Sequence, residues 1–526
     1  MKSSPEGIVT SSRHEKAISS NCEKEHALLL VLRFVLPLLL LPLLVLCTPS
    51  EEEASTGQEA SSPPSQPLPE QEPDGRGPLR LMLSCYMDGH LEPCGCASAQ
   101  SGGLDRRAFW LNSHKASYDT LLEGGNLVSG HTPFEELKLM TILQVLGSNM
   151  GYPLLPLGHT DLELGAELLL DFDEAFGPPF IATDLRDKEG KPPFKTFGIV
   201  KAGSKEGYKL LVMSLIGHLD GEKPKKEGLS LQAPREAIAQ ALHAAGKRGE
   251  NYDLAVVFSN SGGARLGREL ARTVPGLDLV LCTDSPEDNA QSKYESFALR
   301  HEDGSRRIQR VLFVGGRGKT MLRWTGVPAK DGSWITQKAE KIRLGQPTAD
   351  PEVRDVLLDF KRSLPEEGIL EQMAEQRPAR DGYKYVGNAS CAECHPAAAK
   401  VWAKTKHAHA WESLVERGKR DHWPVTQHPE CVSCHVVGYG EKSGFITITK
   451  SKHLKDVGCE SCHGPGSRHT QFWEKEAATL DGTEYELAKQ KGLMPKIGFN
   501  RCFHCHTLEQ SPGFLPQERW KQIEHK

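Results

Sequence analysis

Four pentapeptides in the C-terminal part of the chain share the pattern Cys-x-x-Cys-His. They are CAECH at 391–395, CVSCH at 431–435, CESCH at 459–463 and CFHCH at 502–506. Two thiols at this spacing can add to the two vinyl groups on one edge of a haem, while the next residue, histidine, turns beneath the ring to bind iron. The pattern predicts four covalently attached c-type haems, bound through Cys391, Cys394, Cys431, Cys434, Cys459, Cys462, Cys502 and Cys505, with His395, His435, His463 and His506 as iron ligands.

The histidine in each motif separates this interpretation from its alternatives. Cys-x-x-Cys alone would fit a zinc ribbon or a thioredoxin-type redox pair. Only 21 of the 526 residues are histidine, so finding one after all four pairs by chance has a probability of about three in a million. The motifs therefore favour haem over zinc.

The second axial ligands must come from outside the motifs. Residues 383–526 contain a single methionine, Met494, so His/Met ligation can serve at most one iron and the other distal ligands should be histidines. We favour His407, in a helix-like stretch, and His453 and His469, which flank the third motif. His409 would point to another helix face, and His525 could close a fourth site.

The same segment is poor in material for an ordinary core. It holds 8 of the 14 cysteines and 12 of the 21 histidines of the chain. Four haems in so short a segment leave little room for an aliphatic core, so the haems should supply most of the buried apolar surface. We therefore expect the apoprotein not to fold in this region.

Several stretches here resemble the cytochrome c-554 and c-prime family. They are YVGNASCAECHPAAAKVWAKTKHAHAWESL, PECVSCHVVGYG, HLKDVGCESCHGPGSRH and CFHCHTLEQSPGF. The resemblance implies closely packed haems with mostly two histidine ligands each, one haem sometimes remaining five-coordinate. It also implies a role in carrying electrons between periplasmic redox partners.

The region before the motifs alternates short apolar runs with helical patterns. LRLMLSCY, YKLLVMSLIG, DLAVVFSN and LDLVLCTDS are typical of buried strands, and 133–148, 234–246 and 265–274 are helix-like. This alternation predicts an α/β sandwich whose functional residues gather beyond the carboxyl ends of the strands.

Other stretches of this region resemble the calcineurin-like metallophosphoesterases of the 5'-nucleotidase branch. They are LEPCGC with GGLDRRAFWL, LLEGGNLVSG, LGHTDLELG, VVFSNSGGARLGRELARTVPGLDLVLCTDS and GGRGKTMLRWTGV. That family holds two metals, but its ligand positions fall here on Tyr86, Met87, Asp88, Asn126, His159, Thr160, Asn260, Thr283, Asp284, Ser285 and Pro286. Because most ligands are missing, we expect a non-catalytic docking or sensing module, with a metal-dependent phosphoesterase as the alternative.

Four cysteines stand near these positions: Cys85, Cys94, Cys96 and Cys282. In an exported protein, disulfides or buried thiols are the simpler interpretation. A thiolate-bound metal or redox site, joined by His90 or Asp88, is the alternative, since clustered cysteines select soft ions.

The N-terminal part indicates export. The apolar run 34–46 has the length of a signal-peptide core, and Cys47 after it could carry a lipid. An uncleaved anchor is the alternative, because 27–46 is apolar apart from Arg33 and could span a bilayer. Residues 48–77 have the composition of a disordered linker.

The chain is too long for one core, and its net charge of −5 excludes the positive excess that nucleic-acid binding requires. We expect a signal or anchor at 1–47, a linker at 48–77, the α/β metallophosphoesterase-like sandwich at 78–344, a linker at 345–382 and a mostly α, haem-packed multihaem cytochrome c domain at 383–526. The expected function is that of an exported, periplasmic, membrane-anchored electron carrier with redox protein partners. A reductase acting at an open haem is the alternative.

Overall fold

The computed structural model describes residues 68–93, 100–203, 207–260, 263–282, 293–300, 304, 306–345, 347–495, 497–508 and 510–525. These residues lie in one compact unit, Pro67–Lys526. The expected export segment with Cys47, most of the linker 48–77, Cys94, Cys96 and the positions 283–286 lie outside the described residues. Within the described ranges, no helix combines the length and apolar character needed to cross a membrane.

The region 78–344, called here the α/β region, contains the strands. They are β1 (Leu79–Ser84), β2 (Thr120–Glu123), β3 (Leu155–Pro156), β4 (Phe180–Ile181), β5 (Leu185–Arg186), β6 (Gly198–Ala202), β7 (Tyr208–Leu215), β8 (Ser230–Leu231), β9 (Leu254–Ser259), β10 (Leu279–Cys282), β11 (Tyr294–Arg300), β12 (Arg306–Phe313), β13 (Thr320–Pro328) and β14 (Trp334–Arg343).

Two large sheets pack face to face. One has the order β14-β13-β1-β2 and the other β11-β12-β10-β9-β7-β6. In the second sheet β7, β9, β10 and β12 are parallel, and the edge strands β6 and β11 are antiparallel. The parallel strands therefore end at one edge of the sheet, where side chains from successive strands meet.

Helices cover the outer faces of both sheets. They are α1 (Leu104–Ser113), α2 (Pro133–Gln144), α3 (Ala166–Phe176), α4 (Lys223–Lys226), α5 (Pro234–Lys247) and α6 (Gly263–Thr273). Alternate residues of a strand point to opposite faces, and β1 follows this rule: Leu81 packs between the sheets, whereas Met82 packs with α1 and α2. Likewise, Val212 of β7 faces the other sheet and Met213 faces α5 and α6. The result is a four-layered sandwich with three apolar cores.

The segment 345–382, expected to be a linker, contains the helices α7 (Pro351–Glu366) and α8 (Ile369–Gln372). Asp350 caps α7 by accepting hydrogen bonds from the N–H groups of Glu352 and Val353. Leu357 and Phe360 of α7 belong to the core under the four-stranded sheet, and Leu370 of α8 belongs to the core of the residues that follow. This segment is thus packed against both parts of the molecule.

Residues 383–526, called here the C-terminal region, are helical where described. Their α-helices are α9 (Asn388–Cys394), α10 (Pro396–Trp402), α11 (Ala410–Asp421), α12 (Pro429–His435), α13 (Cys459–His463), α14 (Ser467–Gln471), α15 (Gly482–Gly492) and α16 (Pro516–Trp520). Trp411, Phe445 and Leu454 belong to a small core. Among the described residues after Leu454, the buried apolar side chains are those of Phe472 and Ala488 and of two prolines, Pro465 and Pro516. The predicted fold class, an α/β sandwich followed by a helical region, is confirmed.

Candidate haem-binding site

Each Cys-x-x-Cys-His motif lies on a short helical turn. The first three are carried by α9, α12 and α13, and the fourth by the 3₁₀ helix Phe499–His504. Residues three and four apart lie on one side of a helix, so the two thiols and the imidazole of a motif face the same space. This local geometry is the arrangement that attachment of one haem requires.

Three of the four motif histidines face a second imidazole. The ring centroids are 6.1 Å apart for His395 and His469, 6.2 Å for His506 and His407, and 6.1 Å for His463 and His525. An imidazole nitrogen binds a metal at about 2 Å, so two imidazoles on opposite sides of one ion have centroids roughly 6.4 Å apart. The three pairs match the spacing of iron with two axial histidines.

Backbone and hydroxyl groups hold several of these rings. Nδ1 of His469 donates to the carbonyl of Gly492 at 2.8 Å, and Nδ1 of His435 donates to that of Ala410 at 2.7 Å. His506 and Ser511 are hydrogen-bonded at 2.9 Å, and His525 donates to Ile523. Histidines that bind metals usually make such a bond through the second ring nitrogen, which fixes the tautomer and presents Nε2 to the ion.

The facing rings are held in the form that binds metal. Burial, reinforced by the nearby His525, lowers the pKa of His463, and burial together with His506 lowers the pKa of His407. Both effects disfavour the imidazolium. A neutral imidazole is the form that coordinates iron.

The predicted distal residues differ in their placement. His407 and His469 face motif histidines, as does His525. His453 is exposed and lies with its ring against Gly387. Leu454, in the same short turn Lys452–Leu454, is buried in the core. Within the described part of the chain, the ring contacts bring no second histidine opposite His435.

Contacts between cysteines give the spatial order of the motifs. The thiol of Cys391 lies close to that of Cys459, the thiol of Cys434 lies close to that of Cys505, and Cys462 is near Cys502. The motifs therefore follow one another in space as first, third, fourth and second.

A cavity of about 1530 Å³ opens between the last three motifs and the α/β region. Its walls include Cys434, His435 and His506, the loop Asp88–Pro93 and Lys138. Cationic side chains are numerous along it: Lys361, Lys404, Lys406, Arg417, Arg420 and Arg501. Their charge suits the propionates of haem.

His428 is a second feature of this cavity that suits a ligand with polar groups. Its ring lies against Phe134, Phe360 and Trp423, and burial lowers its pKa to about 4. Nδ1 is buried and has no hydrogen-bond partner among the described residues. Buried polar nitrogens are almost always paired, so an atom of a ligand in the cavity would satisfy this one. With the three histidine pairs, the residues fit covalently bound haem.

Three of the positions that the sequence resemblance assigns to metal ligands are hydrogen-bonded within the chain. Asn126 accepts from the N–H and hydroxyl of Thr160 at 3.1 Å, and its amide donates to the carbonyl of Asn260. Asn260 in turn donates to Ser214 and to the carbonyl of Leu157. These groups satisfy one another without an ion.

The loops at these positions keep an unusual backbone. Tyr86, Asp88 and Asn126 have φ angles of 57°, 54° and 52°. Left-handed conformations of non-glycine residues cost energy and are concentrated at functional sites. Arg317 lies 3.6 Å from the carboxylate of Asp88, where it supplies positive charge.

The two described cysteines of the α/β region do not converge. Cys85 is buried between the sheets, whereas Cys282 is buried behind the six-stranded sheet, where its sulfur contacts Gly267 of α6. A single ion could not bind both thiols. The expectation of a thiolate site that joins Cys85 and Cys282 is therefore wrong, because β10 turns Cys282 toward the helices.

The C-terminal region is similar to known cytochromes. Residues 390–464 match the family model of cytochrome c554 and c-prime. Cytochrome c-554 of Nitrosomonas europaea is 41% identical over 141 residues, which cover 24% of this chain and 60% of that protein. The match thus spans about 60% of the length of this relative, and the predicted resemblance is confirmed.

Solved structures similar to this chain align over more than half of its length. A 5'-nucleotidase precursor from Thermus thermophilus is 16% identical, with 60% of this chain and 63% of that chain covered and a TM-score of 0.45. A calcineurin-like phosphoesterase from Bacillus subtilis is 15% identical, with 55% and 98% covered and a TM-score of 0.44.

Proposed function

We propose that this chain, whose C-terminal region is a cytochrome c554-type domain, is an exported tetrahaem cytochrome that carries electrons between redox protein partners. The observation that carries the proposal is the spacing of the three imidazole pairs opposite motif histidines. When bound, haem supplies an iron that gains and loses one electron. The chain provides the thiols, the axial nitrogens and a fixed order of adjacent motifs.

The α/β region acts in this proposal as a docking or sensing module. Its family metal positions are hydrogen-bonded to one another through Asn126, Thr160 and Asn260. Two-metal hydrolysis needs several carboxylates and imidazoles around the ions. Manganese- or zinc-stimulated cleavage of aryl phosphodiesters by the full chain would favour the hydrolase alternative instead.

The decisive experiment is a haem count. The full chain, produced in a host with a c-type haem attachment system, should contain four haems and four irons per chain and should titrate over several redox steps. A content of two or fewer haems in fully processed protein would overturn the proposal. Zinc in place of iron at the motifs would also contradict it.

A reductase is the second candidate, and His435 is the observation that favours it. No histidine of the described residues faces its ring, and the cavity beside it is large enough for a small ligand. A five-coordinate iron there would bind cyanide or nitric oxide. Spectra that show only six-coordinate low-spin iron in the native protein would exclude this candidate.

Export and anchoring complete the proposal. The apolar run 34–46 directs the chain to the periplasm, and either a lipid on Cys47 or an uncleaved segment holds it at the membrane. Labelling with radioactive palmitate in cells distinguishes the two, since only lipidated Cys47 takes up the label.

A further inference from the structure

A second group of metal-binding side chains lies in the α/β region, outside the haem motifs. His159 follows β3, and His218 and Asp220 follow β7. The ends of these strands are adjacent, because the hydroxyl of Ser214 donates to the carbonyl of Leu157 at 2.9 Å. Residues from distant parts of the sequence therefore meet at one edge of the sheet.

The three side chains are already close to a coordinating arrangement. The rings of His159 and His218 have centroids 4.0 Å apart, and Nε2 of His218 lies 2.8 Å from Oδ2 of Asp220. One donor atom from each residue lies within 4.8 Å of the others. Ligands at about 2.0–2.2 Å from one ion are separated by roughly 3 to 4 Å, so small side-chain rotations suffice.

His159 has an unexplained nitrogen. Its Nδ1 is buried, and no hydrogen-bond partner for it occurs among the described residues. A buried nitrogen without a partner is uncommon, and a metal ion would account for it.

The surroundings favour a cation. Glu163 is half-buried and close enough to Asp220 for the two carboxylates to repel each other. His218 and Asp220 are exposed over 47% and 52% of their side chains, so an ion can enter from solvent. Two histidines and one carboxylate form the ligand set of many zinc sites and of non-haem iron(II) sites.

We propose that His159, His218 and Asp220 bind one divalent transition-metal ion and leave at least one coordination position open to water. Only His159 coincides with a ligand position of the metallophosphoesterases; the other two residues lie after β7. The site therefore uses a different set of ligands from that family, whose positions Asn126, Thr160 and Asn260 are hydrogen-bonded to one another here. It is also independent of the haem motifs.

Zinc is the probe that tests the site, because haem iron does not interfere with it. Full-length haem-loaded protein is treated with a chelator, dialysed and titrated with Zn²⁺ in a calorimeter, and bound zinc is measured by mass spectrometry. We expect one zinc per chain, with affinity lowered at least about tenfold in both His218→Ala and Asp220→Asn, since each removes a ligand. His243→Ala, at an exposed histidine of α5, is the matched control and should bind zinc like the native chain.

X-ray absorption at the zinc edge identifies the donors. We expect nitrogen and oxygen at about 2.0–2.2 Å, whereas cysteine sulfur would lie at about 2.3 Å. Sulfur ligation, absence of saturable binding, or equal affinity in both variants and the native chain would each overturn the proposal. The two variants lie at exposed positions, so unchanged haem spectra and circular dichroism would show that a loss of zinc is local.

Discussion

Lys138 and Glu430 form an ion pair that joins the α/β region to the helix of the second haem motif. Nζ of Lys138, in α2, lies 2.5 Å from Oε1 of Glu430, in α12, and 3.0 Å from Oε1 of Glu135. The lysine is almost fully buried, whereas Glu430 faces the cavity. The position of the second motif is thus fixed partly by a residue nearly 300 positions earlier in the chain.

We expect Glu430→Gln to lower the free energy of unfolding by about 1–3 kcal/mol, because a buried ammonium loses one of its two charged partners. Urea denaturation followed by circular dichroism measures the change. Glu416→Gln is the control: its pair with Lys419 is exposed on both sides, and its loss should cost less than about 1 kcal/mol. Equal effects of the two variants would contradict the proposed importance of this contact.

The ion pair of Arg107 and Glu123 lies entirely inside the α/β region, with 2.7 Å between Nη1 and Oε2. Glu123→Gln should destabilise the fold by about 3–5 kcal/mol, since it leaves a buried guanidinium without its countercharge. Glu340→Gln, which weakens a more exposed pair with Arg323, should cost less than about 1 kcal/mol. Thermal unfolding of both variants measures the two changes in stability. A small loss of stability in Glu123→Gln would contradict the importance of the buried ion pair.

His428 should make stability depend on pH. Its pKa is about 4 in the folded chain and 6.5 when exposed, so the unfolded chain takes up a proton first as the pH falls. The stability contributed by the neutral ring is complete above pH 6.5 and is lost toward pH 4, by up to about 3 kcal/mol.

The test compares native protein with His428→Leu in urea between pH 7 and pH 4. The stability difference should move in favour of the variant as the pH falls. Burial raises the pKa of Asp278 to about 7 and that of Asp161 to about 6, so their contributions are lost in the opposite direction, as the pH rises. Both carboxyl groups are present in the two proteins, so their contributions cancel in the stability difference. If the stabilities of the two proteins changed in parallel with pH, the role of His428 would be refuted.

Removing the anchors of the third motif, with Cys459→Ala and Cys462→Ala, should reduce the haem content from four to three and destabilise the C-terminal region. Apart from two prolines, the described residues after Leu454 bury only Phe472 and Ala488 as apolar side chains, so we expect each haem to supply a large share of the core. Haem assay and limited proteolysis measure both effects. Four haems in the double variant would refute the assignment of this motif.

His407→Ala, His469→Ala and His525→Ala should each convert one low-spin iron to high spin, because each ring faces a motif histidine. His453→Ala is the matched control, since this exposed ring faces Gly387, and its spectrum should equal that of the native protein. Paramagnetic resonance distinguishes the spin states. Unchanged low-spin signals in the first three variants would leave the covalent attachments intact but remove the ligand assignments.

Local patterns make much of this architecture predictable. The motifs and the buried strands β1, β7, β9 and β10 are short sequence signals, and spacing and apolar runs are enough to locate them. The hairpin of β13 and β14 is harder to predict, because Arg323, Lys338 and Glu340 interrupt its apolar pattern on the outer face. The segment 345–382, expected to be a linker, carries overlooked signals for α7: Asp350 and Pro351 begin the helix, and Val353, Leu357, Phe360 and Leu364 recur at helical spacing.

Pairings between distant residues cannot be predicted from spacing. The sequence favours His407, His453 and His469 equally, and only tertiary structure shows that His407 and His469 face motif histidines. His218 and Asp220 carry no motif, so their approach to His159 depends on the adjacency of β3 and β7. Which polar groups meet across a sheet edge is decided by topology, and topology is a property of the whole chain.

The imidazole pairs also determine when the C-terminal region can fold. In every pair the two partners are separated by roughly 60 to 100 residues along the chain, and contacts at such separation form slowly because long loops must close first. The first motif remains without its neighbour, the third, until the intervening chain has emerged. We therefore expect haem attachment to precede folding, so that the enzymes that attach haem act on an open chain with accessible cysteines.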